Sequence, residues 1–375
     1  MTRSSGAAAL AVLGGGPRGA HLAGLAARAG FAVHLLEPDP FAAARAADTL
    51  TRAGLALPVL GDAAGLPGMQ LALEAEAGQG MARAEVLAAA MATLPAGTVL
   101  VTTAPDPDFA ALAARLPAPG LVAGLDLYME RPGVRLAEVL EAPGAAPEAT
   151  AAAEALARAL GRVPLRVVGG QGAGASLRAA ARGAALWLAA SGAVPAEADA
   201  ALVDWGYALG PFAADDLAGL DLVAPAQPLP GAPGKVLPRM LAEGRLGKKA
   251  AVGWYRYPGG GGAVADPLIE DLLAEEAHFA RHPRRTFAAE EIVARVTAAQ
   301  VAAATRLLAA GATAAPEMLD RISVAGCGFP AARGGIVAWA RREAGELRAA
   351  LARFGPDAPS VWEVPSGALD RLLDA

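Results

Sequence analysis

The most constraining feature of this chain is the order of elements near its amino terminus. An apolar run at residues 8–13 leads into the glycine turn Gly14-Gly-Gly-Pro-Arg-Gly19, and a helix-compatible stretch follows up to Ala29. A second apolar run at residues 31–36 ends at Glu37. Strand, glycine turn, helix, strand and acidic residue is the order that a βαβ unit requires. The chain is therefore predicted to begin with a nucleotide-binding α/β domain.

The glycine turn fits the pattern G-x-G-x-x-G through Gly14, Gly16 and Gly19. The first glycine permits a tight turn, the second lets the backbone approach a pyrophosphate, and the third lets helix and strand pack closely. Glu37 can accept hydrogen bonds from both ribose hydroxyls and would repel a 2′-phosphate, which predicts NAD and not NADP. Glu74, at the end of a later strand, is also assigned to the cofactor site. FAD, or a glycine turn without a ligand, are the alternatives.

The rest of the chain separates into two parts. Apolar runs at residues 71–73, 98–101, 121–125 and 165–168 alternate with helical stretches, which favours a parallel sheet covered by helices. After Gly169 the chain consists of helical segments, and the glycine-rich run at 258–262 is predicted to be a linker. The predicted domains are therefore 1–169, 170–262 and 263–375. Related motifs at 208–212 and 326–330 suggest a duplicated helical module.

Composition narrows the range of partners. The net charge of −5 argues against nucleic acid, and the chain has no uninterrupted apolar stretch of membrane-spanning length. Its single cysteine, Cys327, excludes an internal disulfide and a cysteine-based zinc cluster, and it suits a reducing cytosol. A cytoplasmic protein with a small-molecule substrate is expected.

Several longer motifs give the chain a family resemblance. They are the runs 209–221, 244–249, 253–258, 269–275 and 326–335. With the glycine turn they resemble the 3-hydroxyacyl-CoA dehydrogenases, both stand-alone enzymes and the dehydrogenase part of the fatty-acid oxidation complex α subunit, from about residue 8 to about 345. The resemblance implies an α/β Rossmann domain followed by two all-α, 6-phosphogluconate-dehydrogenase-like domains. It also implies NAD, acyl-CoA substrates of β-oxidation and a homodimer.

The resemblance also implies an acid–base site, and here the chain departs from the family. Family members use a histidine as base, in a Gly-x-His-Phe-Phe-Asn-Pro segment, and a later glutamate orients it. The corresponding segment, 124–131, has Asp126 at the histidine position and Met129 at the asparagine position, whereas the glutamate is kept as Glu138. Pro105 and Leu177 replace two further substrate-contacting residues. Asp126 and Glu138 are the acid–base candidates, but a carboxylate is a poor base for neutral-pH proton transfer.

Three interpretations follow. The first is a divergent NAD-dependent dehydrogenase for a 3-hydroxyacyl-CoA or a smaller 3-hydroxy acid. The second is an inactive NAD-binding protein that serves as a sensor or complex subunit, and the third is a purely structural subunit, which would not need Glu37. The interval between Glu37 and Glu74 is short for the family and carries only Arg45 and Arg52 as positive charges, which predicts weak CoA binding.

Overall fold

The computed structural model describes residues 8–61, 69–75, 80–103, 109–128, 133–170, 172–223, 235–313 and 315–374. The contacts divide the chain into two compact units. The first holds the described residues up to 172, and the second holds those from 173 onward.

A single sheet forms the centre of the first unit. Its strands are β1 (Ala9–Leu13), β2 (Ala32–Leu36), β3 (Val59–Leu60), β4 (Leu71–Glu74), β5 (Val99–Thr102), β6 (Val122–Asp126), β7 (Leu136–Glu141) and β8 (Val163–Val168). They lie in the order β3-β2-β1-β4-β5-β6-β7-β8. The predicted parallel sheet at the amino-terminal end is confirmed for every neighbouring pair of strands except β6 and β7.

Five helices pack around this sheet. They are α1 (Pro17–Arg28), α2 (Pro40–Arg52), α3 (Gly80–Thr93), α4 (Phe109–Ala113) and α5 (Pro147–Ala159). Helices α1, α2 and α5 contribute their apolar faces to one core, where Leu22, Leu50 and Leu156 lie in the same buried cluster as the strand residues Val12 and Val101. This core holds the strand ends in fixed register.

Strand β7 departs from the parallel sheet expected from the sequence. It runs antiparallel to β6, with Asp126 opposite Glu138, and parallel to β8. A parallel return would need a crossover of a dozen or more residues, and the segment between β6 and β7 is too short for one. The chain therefore turns back directly and brings residue 138 beside residue 126.

The second unit is helical, as predicted. Its helices are α6 (Ala173–Ala190), α7 (Pro195–Trp205), α8 (Pro211–Ala218), α9 (Leu220–Val223), α10 (Val236–Ala242), α11 (Pro267–Phe279), α12 (Ala289–Ala309), α13 (Pro316–Cys327), α14 (Ile336–Arg342), α15 (Ala344–Phe354), α16 (Pro359–Trp362) and α17 (Ala368–Asp374). Helix α12 packs against α6 and α7, so helices from both sides of the predicted boundary at 262 share one core. Of the described helices, α12 is the one with the length and apolarity to cross a membrane, and most of it is buried in that core.

The segment predicted to be a linker has a defined structure. Strands β9 (Tyr255–Arg256) and β10 (Val264–Ala265) pair antiparallel, and the glycine-rich run at 258–262 forms the turn between them. The hairpin is fixed by Asp216, whose carboxylate accepts hydrogen bonds from the backbone N–H groups of Trp254 and Tyr255, at 2.8 and 2.9 Å. The run is therefore a hairpin turn and not an extended connection.

One capping arrangement occurs twice in the second unit. Asp199 accepts the backbone N–H groups of Phe212 and Ala213 at the start of α8. Asp320 Oδ1 does the same for Val337 and Ala338 at the start of α14. In both cases the aspartate lies four residues after the proline that begins the preceding helix. The structural correspondence is thus between the starts of α8 and α14, and not between the two motifs compared in the sequence.

Candidate active site

The glycine turn joins β1 to α1 and is closed by contacts that only glycine permits. Gly14 has a φ of 100°, in the left-handed region that glycine adopts without strain. A Cβ on Gly19 would lie 1.8 Å from the carbonyl oxygen of Gly14. Gly16 is the N-cap of α1 and has no side chain that could cap the helix. The amide groups of the first turn therefore offer an anion site of the kind that binds a pyrophosphate.

Glu37 lies directly against this turn. Its Oε2 accepts the backbone N–H of Gly15 at 2.7 Å, and its Oε1 accepts that of Asp39 at 2.9 Å. A Cβ on Gly15 would lie 2.8 Å from the Glu37 Cγ, so a side chain there would displace the carboxylate. Each carboxylate oxygen has a second lone-pair direction, which can accept a ribose hydroxyl. The importance of Gly15 was not predicted, although three consecutive glycines were a signal for it.

Glu74 ends β4, between the carboxyl ends of β1 and β5. It is 1% exposed, and its Oε2 accepts a hydrogen bond from the Thr102 hydroxyl at 2.5 Å. Its backbone carbonyl accepts from the hydroxyl of Thr103 at 2.8 Å. The residue lies at the predicted edge of the sheet, but its carboxylate is directed toward β5 and helps to fix the strand ends.

Arg18 is a charged residue of this edge that the sequence reasoning did not single out. It lies in the first turn of α1, and its guanidinium donates a hydrogen bond to the Thr103 carbonyl, beyond the end of β5. Since β4 separates β1 from β5, the side chain crosses the end of β4. Its position between the second and third glycines was the available signal. A positive charge here suits an anionic ligand at the carboxyl edge, where sheets of this topology bind nucleotides.

The acid–base candidates lie further along the same edge. Asp126 ends β6 and Glu138 lies opposite it in β7, so their side chains share one face of the sheet. Asp126 is 5% exposed and Glu138 is fully buried. The predicted pair is thus brought together. Both carboxylates contact a third residue, Tyr128, which the sequence analysis did not identify.

Tyr128 links the two carboxylates. Its backbone N–H donates to Asp126 Oδ1 at 2.9 Å, and its phenolic O–H donates to Glu138 Oε1. The residue has a φ of 47°, which is uncommon for a side chain of this size. Its place two residues after Asp126, within the segment 124–131, was the available signal.

The other positions that were compared with substrate-contacting residues of the family are not part of this group of side chains. Pro105 and Met129 lie outside the described residues. Leu177 is fully buried in α6, where its carbonyl accepts a hydrogen bond from Gln300 at 3.4 Å. In this unit Leu177 serves as a core residue.

Comparisons with known proteins agree with this architecture. Residues 177–257 match the family described as 3-hydroxyacyl-CoA dehydrogenase, C-terminal domain. The peroxisomal bifunctional enzyme of Danio rerio is 31% identical over 265 residues, which are 65% of this chain and 37% of that enzyme. The chain spans between 24% and 37% of the length of the curated relatives it matches.

Two solved structures have the same fold over nearly the whole chain. 3-Hydroxybutyryl-CoA dehydrogenase from Escherichia coli K12 has a TM-score of 0.71 at 20% identity, and the match covers 98% of each chain. The dehydrogenase part of multifunctional enzyme 1 from C. elegans has a TM-score of 0.60 at 18% identity, covering 98% of this chain and 89% of the other. Taken together, the sequence matches show a 3-hydroxyacyl-CoA dehydrogenase C-terminal domain at residues 177–257, and the two structures show that nearly the whole chain has the fold of such dehydrogenases.

Proposed function

We propose that the protein is an NAD-dependent oxidoreductase that interconverts a 3-hydroxyacyl compound and its 3-oxo form. The observation that carries this proposal is the contact between Glu37 and the glycine turn. A carboxylate held against the amide of Gly15, beside a turn too tight for side chains, fits the ribose and pyrophosphate of a dinucleotide. A purely structural subunit would not need this arrangement.

The residues present divide the work of binding. The start of α1 would receive the pyrophosphate, Glu37 the adenosine ribose, and Arg18 would add positive charge beside them. When bound, the nicotinamide accepts or donates the hydride, and the protein must supply the proton transfer. The groups available for that task at the neighbouring strand end are Asp126, Tyr128 and Glu138.

The substrate is proposed to be a 3-hydroxyacyl-CoA or a smaller 3-hydroxy acid. The few cations between β2 and β4 favour weak contacts to CoA phosphates, and one of them, Arg52, is already paired with Asp48. A short substrate with its own carboxylate would need fewer such contacts. Acetoacetyl-CoA and free acetoacetate are therefore both tested.

The test is a single turnover. Stoichiometric protein is mixed with NADH and either oxo compound, and the nicotinamide absorbance is followed after fluorescence has established that NADH binds. Oxidation of the bound NADH supports the proposal. A matched Glu37→Ala protein, which should bind NADH poorly, controls for oxidation in solution.

A second candidate is an inactive NAD-binding protein that acts as a sensor or complex subunit. It is favoured by the replacement of the family's histidine by Asp126 and by the complete burial of Glu138. Tight NADH binding with no oxidation of either oxo compound over hours would contradict the dehydrogenase proposal and favour this one.

A further inference from the structure

Glu138 carries a buried carboxylate at the strand end that holds the acid–base candidates. It is fully buried in β7, and its Oε1 accepts the hydrogen bond of the Tyr128 hydroxyl. A proton can reach Glu138 along the hydrogen bond from the phenol.

The backbone of Tyr128 is held in a conformation that places this phenol. A left-handed conformation in a residue other than glycine is strained and persists only where its surroundings impose it. Here Asp126 imposes it, because its Oδ1 accepts the Tyr128 N–H at 2.9 Å. The turn follows β6 directly, so Tyr128 lies at the carboxyl edge of the sheet, where ligands of such folds bind.

We propose that Tyr128 and Glu138 form the proton relay of the reaction, and that Asp126 holds the turn that carries Tyr128. This inference rests on the proposed function. In the direction of oxidation, the substrate O–H bond breaks and its proton passes to the Tyr128 oxygen. The Tyr128 proton passes to Glu138 Oε1 as the carbonyl forms. Bound NAD would accept the hydride from the carbon that bears this oxygen. Glu138 ends protonated, and after the oxo product has left, its proton returns through Tyr128 to water.

The burial of all three residues agrees with such a relay. Tyr128 is 1% exposed and Asp126 is 5% exposed. The proton transfer would take place where bulk water is excluded, which strengthens each electrostatic contact and prevents loss of the proton to solvent.

The experiment compares single-turnover rates of NADH oxidation in four proteins: wild type, Tyr128→Phe, Glu138→Gln and Asp126→Asn. Loss of a positioned acid–base group costs about 10²–10⁴-fold, which is expected for Tyr128→Phe and Glu138→Gln. Asp126→Asn should lose less than about tenfold, since an amide oxygen can still accept the Tyr128 N–H. NADH affinity, measured by fluorescence, should be unchanged in all three.

Tyr255→Phe is the matched control. Tyr255 is a buried tyrosine of the second unit that donates to a buried carboxylate, Asp199, at 2.8 Å. This variant loses the same kind of bond, so a rate loss in Tyr128→Phe that Tyr255→Phe does not share cannot come from general destabilisation. Thermal unfolding confirms that each variant is folded.

Infrared difference spectra add a readout that does not depend on rate. Without any ligand, the carboxylate band of Glu138 should shift in Tyr128→Phe. With NAD and the hydroxy substrate, a protonated-carboxyl band should appear in wild type and be absent from Glu138→Gln. If wild type is active and Tyr128→Phe is equally active, the relay is wrong but the proposed function stands. If Asp126→Asn is as slow as Tyr128→Phe, the base is Asp126. A wild type that binds NADH without oxidising it overturns the proposed function, and the relay with it.

Discussion

The phenolic hydroxyl of Tyr128 donates a hydrogen bond to the carboxylate of Glu138 across the antiparallel pair β6–β7, while its backbone N–H donates to Asp126. The two carboxylates that the sequence proposes as an acid–base pair therefore meet through a tyrosine. Asp126 caps the turn, and Glu138 accepts the hydrogen bond of the phenol.

Removal of the phenolic oxygen should destabilise the first unit. Tyr128→Phe leaves the fully buried Glu138 with one hydrogen bond fewer, and loss of a partner from a buried polar group costs about 1–3 kcal/mol. Denaturant unfolding of the variant should show this decrease in the free energy of unfolding. Glu138→Gln, in which the amide oxygen still accepts from Tyr128, should lose less. An equal or larger loss in Glu138→Gln would contradict the assigned direction of the bond.

Two helical glycines should respond in opposite ways to the same substitution. A Cβ on Gly19 would lie 1.8 Å from the Gly14 carbonyl, so Gly19→Ala must force α1 away from the turn and weaken NADH binding by at least tenfold. Gly345, in α15, has no atom within 4 Å of such a Cβ among the described residues, and Gly345→Ala should stabilise the helix by about 0.5–1 kcal/mol. Fluorescence titration measures the NADH affinity of Gly19→Ala, and thermal unfolding measures the stability of Gly345→Ala. Unchanged NADH affinity in Gly19→Ala would mean that the turn is not the cofactor site.

The amino-terminal half of the site could be predicted from sequence because its signals are local. Glycine spacing, an apolar run and an acidic residue at a fixed distance specify the turn between β1 and α1 and the place of Glu37. The contact between Gly15 and Glu37 is also local, because the middle glycine of the turn lies against the residue that follows β2.

The acid–base half could not be predicted in the same way. The segment Leu136–Glu141 consists largely of residues with high helix propensity, and only its neighbours β6 and β8 make it a strand. Its antiparallel direction follows from a short connection, and the bond between Tyr128 and Glu138 follows from that direction. Contacts that depend on pairing between distant strands leave no periodic pattern in the chain.

The second unit should lose stability as the pH rises from about 4 to 6. Burial raises the pKa of Asp199 from 3.8 to about 6, although hydrogen bonds from Ala213, Tyr255 and Phe212 oppose the shift. Between these values the folded protein binds a proton that the unfolded chain does not, so each step up in pH favours unfolding, by about 1–3 kcal/mol in all. Chemical denaturation at several pH values should show the slope, and Asp199→Asn should flatten it. If the pH dependence of the free energy of unfolding is the same in Asp199→Asn, another group is responsible for it.

Glu37 should decide which dinucleotide is bound. The residue is 8% exposed and its carboxylate lies against Gly15, where it can accept both ribose hydroxyls but would repel a 2′-phosphate. Wild type should therefore bind NADH at least tenfold more tightly than NADPH. In Glu37→Gln the amide oxygen can still accept the Gly15 N–H, but the charge is gone, and hydrogen bonds to a charged group are worth about 1.5–3 kcal/mol. NADH affinity should fall about tenfold or more while NADPH affinity rises, as fluorescence titration would show.

Asp48→Asn, which removes an exposed carboxylate of α2 that is paired with Arg52, is the matched control and should change neither affinity. If wild type binds NADPH as tightly as NADH, Glu37 does not read the ribose, and the assignment of NAD is wrong.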